Sequence, residues 1–364
     1  MCAHEDTAKD LQTALRKRCT ETVIAESIIM GCLHTAGFAS SMLICLSIYG
    51  NVRLRSAVHM YILSYAIIDL LKSMFVMPFT FGVVIKGEWI STAPLCQFQG
   101  YVISGLDIAT TLTITMTAID RYVANSHLAQ YVTLFKRKHV CGVLVVSWLI
   151  SFAVPLSFTI KANDFVLHPG YGICRQVVTN ASFLSASILK IIFSVLPFII
   201  IVACFYSAKV NMQRTNKTTA PRAKEGRMVN TTTWMEQEAS TRLFAAFTLG
   251  ILVFWVPSYV CDVVDAFTHE YYLPRSIYLL STLIANASCF TKSLIVASMN
   301  EVFLIEFKRI FKLRKSRRVV DFNIEANGEE EKGSELMAQT RKCRKYDCEM
   351  KELEDGVKGA ESTA

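Results

Sequence analysis

The chain has 364 residues, of which 52% are hydrophobic and only 19% charged, and its formal net charge is +8. Soluble domains carry about 25% charged residues, so a chain this apolar, with a mean hydropathy of +0.36, does not have water as its main solvent. Its excess Lys and Arg gather in alternate loops between apolar runs, which is a pattern of membrane topology and excludes a nucleic-acid partner.

Residues 1–22 are expected to be an extracellular N-terminus. They lack the basic start, short apolar core and small-residue cleavage site of a signal peptide, so the first apolar run should act as its own uncleaved insertion signal. Seven runs then approach or exceed the roughly 20 residues a helix needs to cross a bilayer. They fall at 23–49, 58–85, 95–124, 140–160, 183–210, 243–267 and 273–299, giving an all-α seven-helix transmembrane domain over 23–299.

Charges between the runs set the orientation. Arg53 and Arg55 follow the first run, Lys136, Arg137 and Lys138 the third, Lys209, Arg214, Lys217, Arg222, Lys224 and Arg227 the fifth, and Lys308, Arg309, Lys312 and Arg314 the seventh. The opposite loops are sparser, with Lys86 and Glu88, Lys161 and Asp164, and Glu270 and Arg275. Positive-inside bias therefore predicts a multi-pass plasma-membrane protein with its N-terminus outside and C-terminus in the cytoplasm.

The segment 211–240 reads as a mobile inner loop. After the seventh run, Phe303, Leu304, Phe307, Ile310 and Phe311 recur at helical spacing among basic residues, which predicts an amphipathic helix on the inner leaflet over 300–318. The tail over 319–364 is charged and poor in large apolar residues, so it is expected to be disordered. The twelve cysteines form no Cys-x-x-Cys pair and most lie in apolar runs, where a thiol acts as a small hydrophobe. With no His-rich cluster and no nucleophile beside a base, neither a metal, a cofactor nor an enzymatic activity is expected.

Several motifs stand in a characteristic order. Cys96 opens the third run and Asp120-Arg121-Tyr122 closes it, 24 residues or about 36 Å of helix later. Leu63-Ser64-Tyr65-Ala66-Ile67-Ile68-Asp69-Leu70-Leu71 with Met77-Pro78-Phe79 mark the second run, Trp148 the fourth, and Phe254-Trp255-Val256-Pro257 the sixth. Asp69 stands out physically, because a carboxylate in mid-membrane costs roughly 2.5 to 3.5 kcal/mol unless protonated, paired or hydrated. Together these segments, over about 41–311, resemble a rhodopsin-like (class A) G-protein-coupled receptor.

That resemblance implies a receptor that carries binding of an extracellular ligand to a heterotrimeric G-protein by outward tilt of the sixth helix. It implies a disulfide between Cys96 and Cys174, both on the oxidising face, pinning the second outer loop over the bundle mouth. Asn180-Ala181-Ser182 is a glycosylation sequon on the same face, whereas Asn216 and Asn230 lie inside. Asp120 is expected to hold Arg121 in the inactive state, with Tyr122 completing the motif and Glu236 or Glu238 offering a second restraint. Pro257 supplies the pivot of the sixth helix by withholding a backbone donor. The outer cavity is expected to be lined by Ile103, Ser104, Asp107, Lys190, Phe193, Trp255, Tyr259, Tyr278 and Asn286 and to take a small, partly aromatic or apolar ligand or a peptide. At Ile103, amine receptors carry an aspartate, so its absence argues against a monoamine. Asp107 either meets a ligand ammonium or, as favoured here, pairs with Lys72 or Lys190.

The chain also departs from the family. Ser41 stands near the first helix's usual asparagine, Phe205 precedes Tyr206 where a tyrosine is expected, and Lys292-Ser293-Leu294-Ile295-Val296 replaces Asn-Pro-x-x-Tyr. In many family members the equivalents of Asp69 and Thr110 hold a sodium ion, and Lys292 is expected to pair with Asp69 in its place, since buried opposite charges favour each other's ionised forms. Phe290-Thr291-Lys292-Ser293 resembles the retinal-binding segment of opsins, although Lys292 lies too close to the inner helix for that role. An opsin-like photoreceptor and a multi-span transporter are the alternatives.

Overall fold

Seven long helices answer to the seven apolar runs, because in lipid every backbone amide and carbonyl must be satisfied within its own segment. The computed structural model of the chain describes residues 10–159, 165–176, 191–224, 231–268 and 272–310, all within the compact unit Met1–Ile310. The helices that carry the spans are Thr20–Gly50, Ala57–Phe75 with Met77–Lys86, Ala93–Ser126, Arg137–Thr159, Leu196–Lys224, Thr231–Thr268 and Arg275–Met299, of which Arg137–Leu156, Leu196–Gln213 and Glu238–Asp265 are the apolar parts of the fourth, fifth and sixth.

The second span is interrupted at Val76, so that Ala57–Phe75 passes into Met77–Lys86 with Pro78 in the first turn of the new segment. The third span is the most buried of the seven and forms the bundle axis. Outward-facing residues such as Leu149, Leu249 and Leu280 are 57 to 66% exposed, which is the lipid face of such a helix rather than a packing defect. The inner half of the bundle is packed around Tyr61, Tyr65, Ile114, Phe244, Phe247 and Phe303.

The segment expected as a mobile inner loop is largely helix. The fifth span runs on to Lys224 and the sixth begins at Thr231, leaving only 225–230 outside the described residues. Once a helix is nucleated, each further residue adds a hydrogen bond at small entropic cost, so a polar sequence prolongs it without needing an apolar face. At the outer end of the fifth span, 183–190 lie outside the described residues, and Ile191–Val195 forms a π-helical turn ahead of Leu196.

Asn300 leaves the helical region at the end of the seventh span, and its side-chain oxygen accepts from the amide of Val302 at 3.1 Å, starting the helix Glu301–Ile310. That helix is fastened by the buried ring of Phe303 and by Glu306, which accepts from Asn51 at 2.9 Å. The rest of the expected inner-leaflet helix and the tail, 311–364, lie outside the described residues.

Two elements cover the outer mouth. Phe165–His168 and Ile173–Gln176 pair as an antiparallel hairpin, β1 and β2, with Leu167 opposite Cys174. Gly100 lets it approach the third span, since a β-carbon there would sit 2.3 Å from the Phe165 ring. A short helix over 10–16 buries Leu11 and Leu15. Gly87, at φ +76° and with a β-carbon position 3.1 Å from the Leu15 carbonyl oxygen, is the residue that permits this seat.

Candidate functional site

Polar residues recur at three depths along the third span, and each depth joins it to different neighbours. At the outer end Cys96 and Cys174 are disulfide-bonded, tying β2 to that span. The hairpin then reaches into the mouth. Arg175 forms a two-point ion pair with Asp262 of the sixth span, and the hydroxyl of Tyr171 donates to the same carboxylate at 3.0 Å. Burial alone lowers a guanidinium's pKa, but the Asp262 carboxylate outweighs it and holds Arg175 above its usual range.

His168 is buried in the same place. Its Nδ1 accepts from the amides of Gly170 and Tyr171 at 3.2 and 3.3 Å, and its Nε2 lies 3.6 Å from Asp265. Burial pushes its pKa below the ordinary histidine value, with Asp265 opposing. Tyr278, expected to line the cavity, is instead fully buried beneath the hairpin, donating to Asp265 and packing on His168 and Tyr171 with ring centroids 4.9 and 5.0 Å away. It supports the cover.

Below the hairpin, Lys72 donates to Asp107 at 2.6 Å, and its ammonium stands 4.8 Å above the Trp255 ring. One cation therefore connects the second, third and sixth spans. The Asp107 side chain is 45% exposed although it lies inside the bundle, so it opens onto a cavity rather than onto packed atoms. Trp255 and Tyr259 are 6.1 Å apart between ring centres, and Ile103 packs with the apolar cluster that includes Leu106 and Tyr171. Ser104 is half-buried, and Asn286 carries a buried amide nitrogen with no hydrogen-bond partner.

Three expected residues fall elsewhere. Lys190 and Asn180 lie outside the described residues. Phe193 lines a lipid-facing groove with Leu112 and Met116 of the third span. Its place in the π-helical turn explains this, because the wider turn shifts the facing of its residues from regular helical spacing.

In mid-bundle, Lys292 is bidentate to Asp69, with Nζ 2.7 Å from Oδ1 and 2.6 Å from Oδ2. Both side chains are about 5% exposed, so this is a dry ion pair between the second and seventh spans. Thr110 does not join it, because its hydroxyl donates to the Leu106 carbonyl at 2.8 Å. Trp148 donates to Ser64 at 3.0 Å, linking the fourth and second spans one layer inward.

At the inner end Arg121 is almost wholly buried. Its Nε donates to Asp120 at 2.8 Å and its Nη2 to both Asp120 and the hydroxyl of Tyr131 at 3.0 Å. The guanidinium also faces the ring of Phe244 on the sixth span at 5.7 Å. Asn125 donates to Thr241 at 2.9 Å, a second link between the third and sixth spans. The expected second restraint does not reach Arg121. Glu238 pairs one turn along its own helix with Arg242, and the Glu236 side chain lies outside the described residues. Tyr131, which sequence reasoning missed, takes that place because the chain turns back at His127 into the short helix Leu128–Leu134. Ten residues of separation carry no periodic signal for such a contact. Tyr122 points away and packs edge-on against His127.

Comparison with known proteins adds an independent line. Residues 40–292 match the family model described as 7 transmembrane receptor (rhodopsin family). The melatonin receptor type 1C of Gallus gallus is 21% identical over 295 residues, covering 79% of this chain and 82% of that protein. The high-affinity lysophosphatidic acid receptor of Xenopus laevis is 22% identical over 281 residues, covering 70% and 73%. C-C chemokine receptor 1-like protein 1 of Mus musculus is 24% identical over 270 residues, covering 70% and 69%.

Proposed function

Since the chain belongs to the rhodopsin family of seven-transmembrane receptors, we propose that it passes binding of an extracellular ligand to a heterotrimeric G-protein by outward tilt of the inner half of its sixth span. The observation that carries this reading is the buried Asp120–Arg121 pair at one end of the same helix that holds Asp107 in the cavity at the other. Ligand contact at Lys72, Asp107 or Trp255 changes what holds the third and sixth spans together near the mouth. Release of Arg121 from Tyr131 and Phe244 then frees a guanidinium that suits the carboxyl-terminal helix of a G-protein.

Two separate sites and a movable helix between them meet the physical requirement for allostery. The relatives are named for melatonin, lysophosphatidic acid and chemokines, three unlike chemistries, so likeness at this level leaves the ligand class to the cavity itself. Its walls combine Asp107 and Lys72 with Trp255 and Tyr259, which suits a small ligand with an aromatic body and a charged end. The N-terminus and the Cys96–Cys174 hairpin face outside, and Asn180 carries a glycan.

Against retinal on Lys292 stands the place of that residue: it lies too close in sequence to the helix Glu301–Ile310 for the chromophore-bearing position, and its side chain is only 6% exposed, held on Asp69 in packed surroundings.

The test is a ligand-library screen on the full chain and on Arg121→Ala, with nucleotide exchange read on purified heterotrimers of each class. Compounds should bind both forms and drive exchange only with Arg121 present. Ligands that bind without exchange on any class, or that drive equal exchange through Arg121→Ala, would overturn the proposal.

A further inference from the structure

Two ion pairs inside the bundle form adjacent layers of one polar core. Lys72 is held by Asp107 at 2.6 Å, and Lys292 by Asp69 at 2.7 and 2.6 Å. Asp69 stands three residues before Lys72 on the same helix, and residues so spaced are neighbours on one face. Its charge acts on the Lys72 ammonium as well, and the Cys289 thiol of the seventh span lies within the fields of both lysines and of Asp69. Lys72 therefore stands between two carboxylates and is bonded to one of them.

The two carboxylates differ in what they offer it. The Asp107 side chain is 45% exposed and that of Asp69 only 5%. The first attracts an ammonium through hydrated space, the second through dry protein, where the same charges attract more strongly. An ionised carboxylate has about four lone-pair sites, and Lys292 engages both oxygens of Asp69 without filling them. Asp107 and the Trp255 ring, 4.8 Å from the ammonium, keep Lys72 off the remainder. Asp107 is also the half of its pair that is open to the cavity, the Lys72 side chain being 14% exposed.

We propose that Lys72 is an exchangeable cation: when Asp107 is claimed or neutralised from the cavity, Lys72 passes to Asp69 and shares it with Lys292. The exchange takes one positive charge from beside Trp255 and loosens the hold of the second span on the seventh. Only a side chain moves, so no helix has to shift beforehand. The exchange requires neither a particular ligand nor a G-protein, and it stands or falls apart from the proposed coupling.

Thermal melting of the purified full chain tests it without any ligand, Asp107→Asn standing in for a claimed carboxylate. Lys292→Met should lower the midpoint in the unaltered background, where Lys72 stays on Asp107. In the Asp107→Asn background the same substitution should cost less than half as many degrees, because Lys72 then reaches Asp69, and coupled sites depart from additivity in this way. Adding Lys72→Met to that double variant should bring the loss back. Were Lys72 merely left without a partner there, its replacement would stabilise instead. Equal losses from Lys292→Met in the two backgrounds overturn the proposal, as does a triple variant no less stable than the double. Where Lys292→Met alone fails to fold, recovery of folded protein with Asp107→Asn and its loss again with Lys72→Met decide in favour, and no recovery refutes the exchange.

Discussion

Replacing Lys292 by methionine removes an ammonium and keeps most of its volume. Asp69 then remains about 5% exposed with no cation at 2.6 to 2.7 Å. Breaking a buried pair by deleting one partner costs about 3 to 5 kcal/mol, because the other charge is left without compensation. At about 2 °C per kcal/mol for a domain of a few hundred residues, the melting midpoint of the purified protein should fall by roughly 6 to 10 °C. Removing both charges, as Lys292→Met with Asp69→Leu, should restore most of that loss, since apolar replacement of a whole buried pair is often neutral. The assay is thermal unfolding in sodium chloride against N-methylglucamine chloride at equal ionic strength. The unaltered chain should melt alike in both, while Lys292→Met should recover part of its loss in sodium, where a small cation can take the vacated place. Equal melting of Lys292→Met and the unaltered chain, or a sodium-dependent rise with Lys292 present, would refute the idea that Lys292 serves as a built-in cation.

Tyr131→Phe leaves the Arg121 Nη2 with one partner fewer, a loss of about 1 kcal/mol, so basal nucleotide exchange should rise about five-fold; unchanged exchange would make Tyr131 a bystander. Cys174→Ala opens the disulfide to Cys96 across a separation of 78 residues and should lower stability by about 2 to 4 kcal/mol, read as earlier melting and weaker surface expression. The pH dependence follows from His168, whose buried ring is held below the usual histidine range. Because the fold keeps the neutral ring, its contribution is complete above about pH 6.5 and is lost as pH falls below that value, where the unfolded chain takes up the proton first. Melting scanned from neutral to mildly acidic pH should show that fall, and His168→Asn, which cannot titrate, should remove this share of it. A slope untouched by the substitution would place the proton elsewhere.

The seven spans were legible because lipid imposes a single rule on a crossing segment, length and apolarity together. The run expected at 58–85 returned as Ala57–Lys86, with a break at Val76 that Pro78 explains and that apolarity alone hides. The inner extensions of the fifth and sixth spans were not legible, since Thr, Lys and Arg carry no period and read as loop whether or not a helix continues through them. Charges inside the spans announced themselves by their cost, and two of the expected pairs, Lys292 with Asp69 and Lys72 with Asp107, are present. Spacing left both Lys72 and Lys190 open to Asp107, and the packing of the second span against the third brings Lys72 to it. Phe193 was misplaced because a π-helical turn alters facing without any residue that signals it. Tyr131, Asn125 and Thr241 are ordinary polar residues in sequence, and their meetings depend on the fold-back at His127 and on the course of the sixth span.

The distribution of charged contacts bears on which helix can move. Glu26 accepts from Arg275 at 2.7 and 2.6 Å, Asp69 holds Lys292, and Asp107 holds Lys72, so ion pairs join the first span to the seventh, the seventh to the second and the second to the third. The two buried pairs, Glu26–Arg275 and Asp69–Lys292, add little net stability, since each offsets its own desolvation, but breaking either costs several kcal/mol. The sixth span is treated differently along its length. Its outer end is held by Arg175 on Asp262 and by Tyr278 on Asp265. Its inner end is held to the third span by the neutral Asn125–Thr241 hydrogen bond and by the Arg121–Phe244 ring contact, each worth about 1 kcal/mol. Between the two ends Pro257 withholds a backbone donor. A helix pinned by charge at one end, loosely held at the other and weakened between them swings more readily at its inner end, and that asymmetry supports the proposal that it is the sixth span, rather than a neighbour, that tilts.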